Sequence, residues 1–400
     1  RVSPTTDLAA IRLDLDRTTE ARLLLDGGEQ VPLGGAVDVR APLRRSASEG
    51  ATLSCEDLVA ISACLGAVRR VRAFARKHRE RCPGLHELSE SLSEERDLEK
   101  AIEEAIDADT LEVRESASRE LARIRRSTRR LRGRLEQKLD AIVERETGRG
   151  SLQEPAVHIR SGRSVLPLKR ESSGRLEGIV HDRSGSGATV FVEPLETVSL
   201  NNELAGFAAE ERREIERILR ALSDLVRARA GEIQGSLAAL GEFDYYSAAG
   251  RLSRDLEGVT PEFTETGSVR IVNGRHPVLF GMARSAGHDV VPLTLSVGGD
   301  ASALVISGPN AGGKTVALKT VGLIVLMAQA GLHVPAAPGT ELPPFRDVYA
   351  DIGDEQSIER SLSTFTSHLR VIGEILRESD AGSLVLLDEL GAGTDPDEGA

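Results

Sequence analysis

What the 400 residues lack narrows the choices first. The longest apolar stretch, Val321 to Ala330, falls well short of the roughly 20 residues that a membrane-spanning helix needs. No leader peptide is legible either, so no membrane partner is expected and the expected location is cytoplasmic. Cysteine is scarce: Cys55, Cys64 and Cys82 are odd in number and lack metal-ligand spacing. That excludes a disulfide framework and a thiolate zinc site, and leaves reduced core thiols of a cytosolic chain. Positive charge is also in deficit. A net charge of −12 excludes a protein that coats nucleic acid with its whole surface, so any phosphate-backbone contact must come from a local basic patch. The excess of arginine over lysine is read as base-composition bias. What is present is enough for two or three domains, with 40% apolar residues to build their cores. The chain opens on Arg1 and stops at Ala400 inside an unfinished α/β pattern, as a segment cut at both ends would.

The most informative stretch is Ala301 to Thr315. An apolar, β-prone run (Leu304, Val305, Ile306) leads into a glycine-bounded loop, and a helical pattern begins at Val316. The loop, Gly308-Pro309-Asn310-Ala311-Gly312-Gly313-Lys314-Thr315, has the spacing G-x-x-x-x-G-K-[ST] in a strand–loop–helix setting. Small residues are required there because backbone N–H groups must close around phosphate oxygens, with the positive end of the next helix behind them. Lys314 is expected to reach the β- and γ-phosphates of ATP, and the Thr315 hydroxyl to take a position on Mg²⁺.

A second half of the site follows at Leu384-Val385-Leu386-Leu387-Asp388-Glu389. Four apolar residues read as a strand buried on both faces of a parallel sheet, with two carboxylates at its C-terminal end, where open α/β sheets place ligands. Asp388 is expected to hold the Mg²⁺ shell and Glu389 to polarise the water that attacks the γ-phosphate.

Taken in order, residues 1–152 read as a helical core or lever. A short helix is expected from Thr18 to Gly27-Gly28, and an amphipathic one from Leu53 to about Arg81, stopped by Cys82-Pro83-Gly84. A long one from about Arg119 to Glu146 carries a seam of Leu121, Ile124, Thr128, Leu131, Leu135, Leu139 and Ile142. Its other face bears Arg119, Arg123, Arg125, Arg126, Arg129, Arg130, Arg132, Arg134 and Lys138, either a solvated surface or an arm that touches a phosphate backbone. Residues 153–200 turn to short β-prone runs and form a small β module, rich in arginine, whose loops either contact nucleic acid or cap the helical arm. Residues 201–258 return as helix along Leu204, Ala208, Glu211, Ile215, Ile218, Leu222, Leu225 and Arg229. Gly231, Gly235 and Gly241 are expected to loosen the base before a further helix from Phe243 to Leu256. Residues 259–400 form the α/β domain.

Three motifs then point to a family. The phosphate loop, Ser361-Leu362-Ser363-Thr364-Phe365-Thr366-Ser367-His368, and Leu387-Asp388-Glu389-Leu390-Gly391-Ala392-Gly393-Thr394-Asp395-Pro396 together resemble the ATPase domain of the MutS family. Gly274-Arg275-His276-Pro277 fits it too, and the β module around Gly178 to Asp182 and Ser184 to Pro194 looks like the clamp of the family's second branch. The fold implied is an α/β ABC-type P-loop ATPase domain, preceded by a mainly α-helical lever with an inserted β clamp module. That branch lacks the mismatch-reading domain and carries a C-terminal small MutS-related nuclease domain. It is linked to recombination suppression and to splitting of collided ribosomes.

The resemblance implies further roles. Ser363 would contact the γ-phosphate held by the other subunit of a homodimer. Asn310 would orient the nucleotide phosphates, and Gln356 would meet the metal and its water. Thr394 and Asp395 would cross the dimer interface, and His288 would stack on adenine. A switch histidine is expected beyond Ala400. The function implied is an ATP-driven, dimeric clamp on branched DNA, on ribosomal RNA in a collided ribosome, or on both, with endonuclease activity in a further domain. Two other readings stand beside it: a mismatch-repair MutS proper, and a ribosome-binding remodelling ATPase without DNA contact.

Overall fold

The computed structural model describes residues 3–264, 267–299, 301–309, 312–352 and 361–388, the stretch 361–368 by its backbone alone. In chain order its elements are α1 (Leu8–Asp26), α2 (Arg40–Ser46), α3 (Cys55–Lys77), α4 (Pro83–Ser89), α5 (Arg96–Ala105), β1 (Ile106–Asp107), β2 (Glu112–Val113) and α6 (Arg119–Gly148). Then come β3 (His158–Arg160), β4 (Arg163–Lys169), β5 (Gly178–Arg183), β6 (Thr189–Pro194), α7 (Val198–Ala228), α8 (Ala230–Asp255), β7 (Glu262–Phe263), β8 (Val269–Gly274), α9 (Pro277–Ala286) and β9 (Leu293–Val297). The last are α10 (Lys314–Gln329), β10 (Glu341–Leu342), β11 (Asp347–Asp351), α11 (Ser361–Glu378) and β12 (Ser383–Leu387).

These elements group into two units. One takes residues 1–34, 68–92 and 238–400; the other takes 35–67 and 93–237. The division therefore falls inside α3 and α8, whose two ends belong to different units.

In the second unit, α6 and α7 pair in opposite directions. Ser118 at the start of α6 donates to Glu214 (2.7 Å), whereas Lys138, more than five turns on, donates to the carbonyl of Glu196 just ahead of α7 (2.8 Å). The apolar seam of α6 is buried as its spacing requires, at Leu121, Ile124, Leu131, Leu135, Leu139 and Ile142. The α7 face differs from the expected one: Glu214 and Val226 are buried while Leu225 stays 40% exposed. The buried Glu214 is met by Ser118 and Arg217, and those bonds, the Arg217 one foremost, hold its pKa down at about 2.

Between these helices, β3-β4-β6-β5 form an antiparallel sheet, joined by Leu166, Leu168, Val190 and Val192 to the distal end of the α6 seam. One polar centre lies in this unit. The carboxylate of Glu193 in β6 is wholly buried and receives Arg163 (2.8 Å), His181 (2.5 Å) and Asn201 (2.8 Å). Burial alone would raise its pKa, but the bonds from Asn201, His181 and Arg163 outweigh that and hold it below the ordinary value.

In the first unit, α1 runs from Leu8, not from Thr18. Asp7 caps it by accepting from the amides of Ala9 (2.9 Å) and Ala10 (3.3 Å), and Ile11, Leu15, Thr18, Ala21 and Leu24 bury one face. The Cys82-Pro83-Gly84 stretch opens α4 rather than only ending α3, with Pro83 at its first position and Glu20 accepting from the amides of Gly84 and Leu85. Likewise α8 is one unbroken helix through Gly231, Gly235 and Gly241. Burial of Ile233, Leu240, Phe243 and Tyr246 overrides a propensity cost of about 1 kcal/mol per glycine. In the second unit, residues 106–113, expected as helix, make the small antiparallel β1–β2 pair.

Among the described residues, the strands of the first unit form two sheets, β7-β10-β8-β9 and the parallel pair β11–β12. Val269 and Ile271 of β8, Leu342 of β10, Leu386 of β12 and the apolar side of α10 (Val321, Ile324, Val325, Ala328) share one core. The run 304–306 is not a strand: among the described residues none pairs with it, and Val305 is 88% exposed. Apolar, β-branched residues favour extended backbone, but only a neighbouring strand supplies the ladder that makes a strand. The β12 run is a strand, yet only Leu386 in it is buried.

Candidate functional site

The loop ahead of α10 and the end of β12 come together. Gly313 is the N-cap of α10 with φ of 82°, a left-handed backbone that a side chain would strain, so the turn into the helix requires glycine. The next residue, Lys314, extends its ammonium back to the carbonyl of Gly308 (2.6 Å) and thereby closes the loop on itself. Within the loop, Gly312 N–H donates to the carbonyl of Pro309 (2.9 Å). Thr315, in the first turn of α10, donates its hydroxyl to Oδ2 of Asp388 at 2.5 Å. Asp388 is in turn fixed by its own amide, which donates to the carbonyl of Asp351 at the end of β11 (2.9 Å). The parallel register, with Asp351 opposite Leu387, is what sets that bond.

This arrangement carries a definite chemistry. The first turn of a 16-residue helix presents unsatisfied N–H groups and the positive end of its dipole to the loop. At the same place a half-buried carboxylate meets a neutral hydroxyl, and among the described residues no lysine or arginine forms an ion pair with it. Two hard oxygen donors in contact, with a negative charge that no side chain among the described residues balances, suit a small divalent cation such as Mg²⁺.

The other expected site residues stand as follows. Gly308, Pro309, Gly312, Gly313, Lys314 and Thr315 line the loop, and Asp388 joins them. His288 lies exposed beyond the end of α9, its amide on the carbonyl of Ala283 (2.8 Å). Ser363 lies in α11, of which only the backbone is described at that point. Asn310, Ala311, Gln356, Glu389, Thr394 and Asp395 lie outside the described residues. In the 274–277 motif, His276 caps α9 by accepting from the amide of Leu279 (3.4 Å), and Arg275 lies over the ring of Phe280 (4.9 Å). Burial, and then Lys319, lower the pKa of His276.

Three features of α10 were not singled out in the sequence. Gly322 sits where a Cβ would come within 2.8 Å of Leu386 Cδ1. Gln329 is buried, donates to the carbonyls of Phe345 (2.8 Å) and Thr5 (3.0 Å), and accepts from the amide of Phe345 (3.1 Å). Past the helix end, the carbonyls of Ala330 and Gly331 accept from the hydroxyls of Tyr245 and Thr18, both at 2.8 Å. A glycine and a glutamine inside an otherwise apolar helix were the available signals.

Beyond these lies the buried His333. Arg22 donates to Ser253 Oγ (3.0 Å), so the Ser253 hydroxyl turns its proton to His333 Nδ1 (2.6 Å). Thr19 spends its proton on the carbonyl of Leu15 and accepts from His333 Nε2 (3.0 Å). The network thus selects the Nε2–H tautomer, and burial pushes the pKa of this imidazole down to about 4.

Residues 304–400 match the family model described as MutS domain V. Over its whole length the chain is 47% identical to a protein named endonuclease MutS2 of Pelotomaculum thermopropionicum and 46% identical to one of the same name from Symbiobacterium thermophilum. A third, from Geobacillus, is 43% identical. The chain spans about half the length of these relatives: 50%, 49% and 50% respectively. No helix among the described residues is long and apolar enough to cross a membrane.

Proposed function

The chain belongs to the MutS family, in the branch of proteins named endonuclease MutS2, and from that membership we propose that it binds and hydrolyses ATP in an ABC-type site and works as a homodimeric clamp on nucleic acid. The observation that carries the ATP part is the contact of Thr315 with Asp388 at the start of α10. Thr315 and Asp388 are the pair that would hold Mg²⁺, which when bound neutralises charge on the phosphate oxygens. Lys314, now on the Gly308 carbonyl, turns its ammonium to the γ-phosphate, and the amides of 312–315 hold the remaining phosphate oxygens. Glu389 takes the proton of the attacking water. Ser363 reaches the γ-phosphate bound by a second copy, Gln356 and Asn310 orient water and phosphates, and Thr394 and Asp395 lie at the interface of the two copies.

The nucleic-acid part rests on α6. Six of its arginines fall into two sets. Arg123, Arg125 and Arg129 are paired with Glu120 and Glu210, Glu211, and Glu115. Arg126, Arg130 and Arg134, four residues apart on one exposed face, form no ion pair among the described residues. In a chain of net charge −12 this row, about 12 Å long by helical rise, is a local patch suited to a phosphate backbone. The backbone is that of branched DNA or of ribosomal RNA in a stalled ribosome. The cutting reaction named in the relatives is assigned to a small MutS-related domain outside these residues. The working location is the cytoplasm.

The test is a titration with a fluorescent ATP analogue. Lys314→Ala is expected to weaken binding by about 100-fold, the worth of two or so charge-assisted bonds. Glu389→Ala is expected to keep binding while turnover falls by about 10²–10⁴. Unchanged binding in the first, or undiminished turnover in the second, overturns the site assignment.

A further inference from the structure

Three of the polar or small residues in α10 are Thr315, Gly322 and Gln329, spaced by seven residues each. Seven residues are close to two full turns, so all three lie on one line down the helix. Each meets the same strand pair or the segment that feeds it. Thr315 touches Asp388 just past the end of β12; at Gly322 a Cβ would stand 2.8 Å from Leu386 Cδ1 in β12; Gln329 makes two hydrogen bonds to the backbone of Phe345 just ahead of β11. The helix is thus registered against β11–β12 at top, middle and bottom. The bottom contact is fixed by a wholly satisfied amide and the top one by a single hydroxyl–carboxylate bond, so the middle sets how closely the helix lies on the strand.

We propose that Gly322 is a positioning residue for the nucleotide site: by letting α10 lie against Leu386 it brings the Thr315 hydroxyl within bonding distance of Asp388. The inference rests on the ATP-site reading given above. A glycine in mid-helix is worth about 1 kcal/mol less than alanine in propensity, so alanine at 322 would favour the isolated helix. It would not suit this one. Leu386 is 6% exposed and packs in the same core as Val269, Ile271 and Ile324, so its δ-methyl has little room to retreat. A new methyl at 322 therefore lifts the helix from the strand and lengthens the contact two turns away at Thr315.

The experiment uses the 400-residue chain in four forms: unchanged, Gly322→Ala, Leu386→Val, and both together. Each is titrated with a fluorescent ATP analogue with and without Mg²⁺, and its urea unfolding midpoint is measured on the same sample. Gly322→Ala is expected to lose about tenfold in the Mg²⁺-dependent affinity, since a full ångström of misplacement costs on the order of 10²-fold. Its Mg²⁺-free affinity should stay within about twofold, because the loop amides and Lys314 are untouched. The double variant, which trims the opposing δ-methyl, should recover to within about threefold of the unchanged chain. A packing role alone would move the unfolding midpoint and leave the Mg²⁺ dependence as it was, and that result overturns the proposal. So does a double variant no better than Gly322→Ala. If the unchanged chain binds no nucleotide, the ATP-site reading itself fails and takes this inference with it.

Discussion

Glu193 in the β module and Asp388 beside the phosphate loop are both carboxylates at the C-terminal ends of strands, and they are finished differently. Glu193 is enclosed by Arg163, His181 and Asn201, so the fold itself balances its charge. Asp388 is given a hydroxyl and, among the described residues, no cation. The arginines of α6 divide in the same way, with Arg123, Arg125 and Arg129 answered by acids and Arg126, Arg130 and Arg134 left to solvent. The difference teaches where to look for function: a compensated charge holds the structure, and an uncompensated one is disposed to meet something from outside.

That contrast can be broken by substitution. The largest effect is expected from Glu193→Ala, which leaves Arg163 and His181 facing each other without their anion. Breaking a buried pair costs about 3–5 kcal/mol, and because Arg163 is 27% exposed a loss of about 3 kcal/mol in the urea unfolding free energy is expected. A loss below about 1 kcal/mol would erase the distinction. Asp388→Asn should do the converse. Stability should change by less than about 1 kcal/mol, while Mg²⁺-dependent ATP affinity falls about 100-fold, or about 2.7 kcal/mol.

Acid sharpens the comparison. The pKa of Glu193 is depressed in the folded state, so its contribution is present above the unfolded value near 4.5 and is lost as pH falls through the lower folded value. The unfolding free energy should therefore drop as pH falls below about 4.5, and drop less in Glu193→Gln. A profile unchanged by that substitution would mean the carboxylate is balanced by something other than its three donors. The smallest expected effect on stability, within about 0.5 kcal/mol, is that of the triple change of Arg126, Arg130 and Arg134 to Gln. Its readout is the salt dependence of duplex binding, whose log–log slope should shrink by about 2.7. The matching triple at Arg123, Arg125 and Arg129 should leave that slope alone.

The sequence disclosed what is local. Glycine, lysine and threonine at fixed spacing fall on neighbouring residues, so the loop and α10 could be read directly, as could the α6 seam with its spacings of three and four. Glu193 could not, because its partners at 163, 181 and 201 come from three elements that only the fold assembles. Of the acids that answer the α6 arginines, Glu210 and Glu211 are likewise remote in the chain, unlike Glu115 and Glu120. Other misses were available in principle. Asp7 ahead of Leu8-Ala9-Ala10 is a sound helix cap, and the glycines of α8 were overweighted against the buried face that runs through them. At 304–306 the apolar run was a fair sign of extended backbone but said nothing about which strand would lie beside it.

The hydroxyls of Tyr245 and Thr18 on the carbonyls just past the end of α10 have a mechanical meaning. Those bonds, with Gln329 beneath them, anchor the far end of the helix against sliding, because axial travel would break several buried bonds at once. Swivelling about that hinge stretches them far less. A push delivered at Lys314 would thus be felt by α1 and α8 as torque, not as thrust.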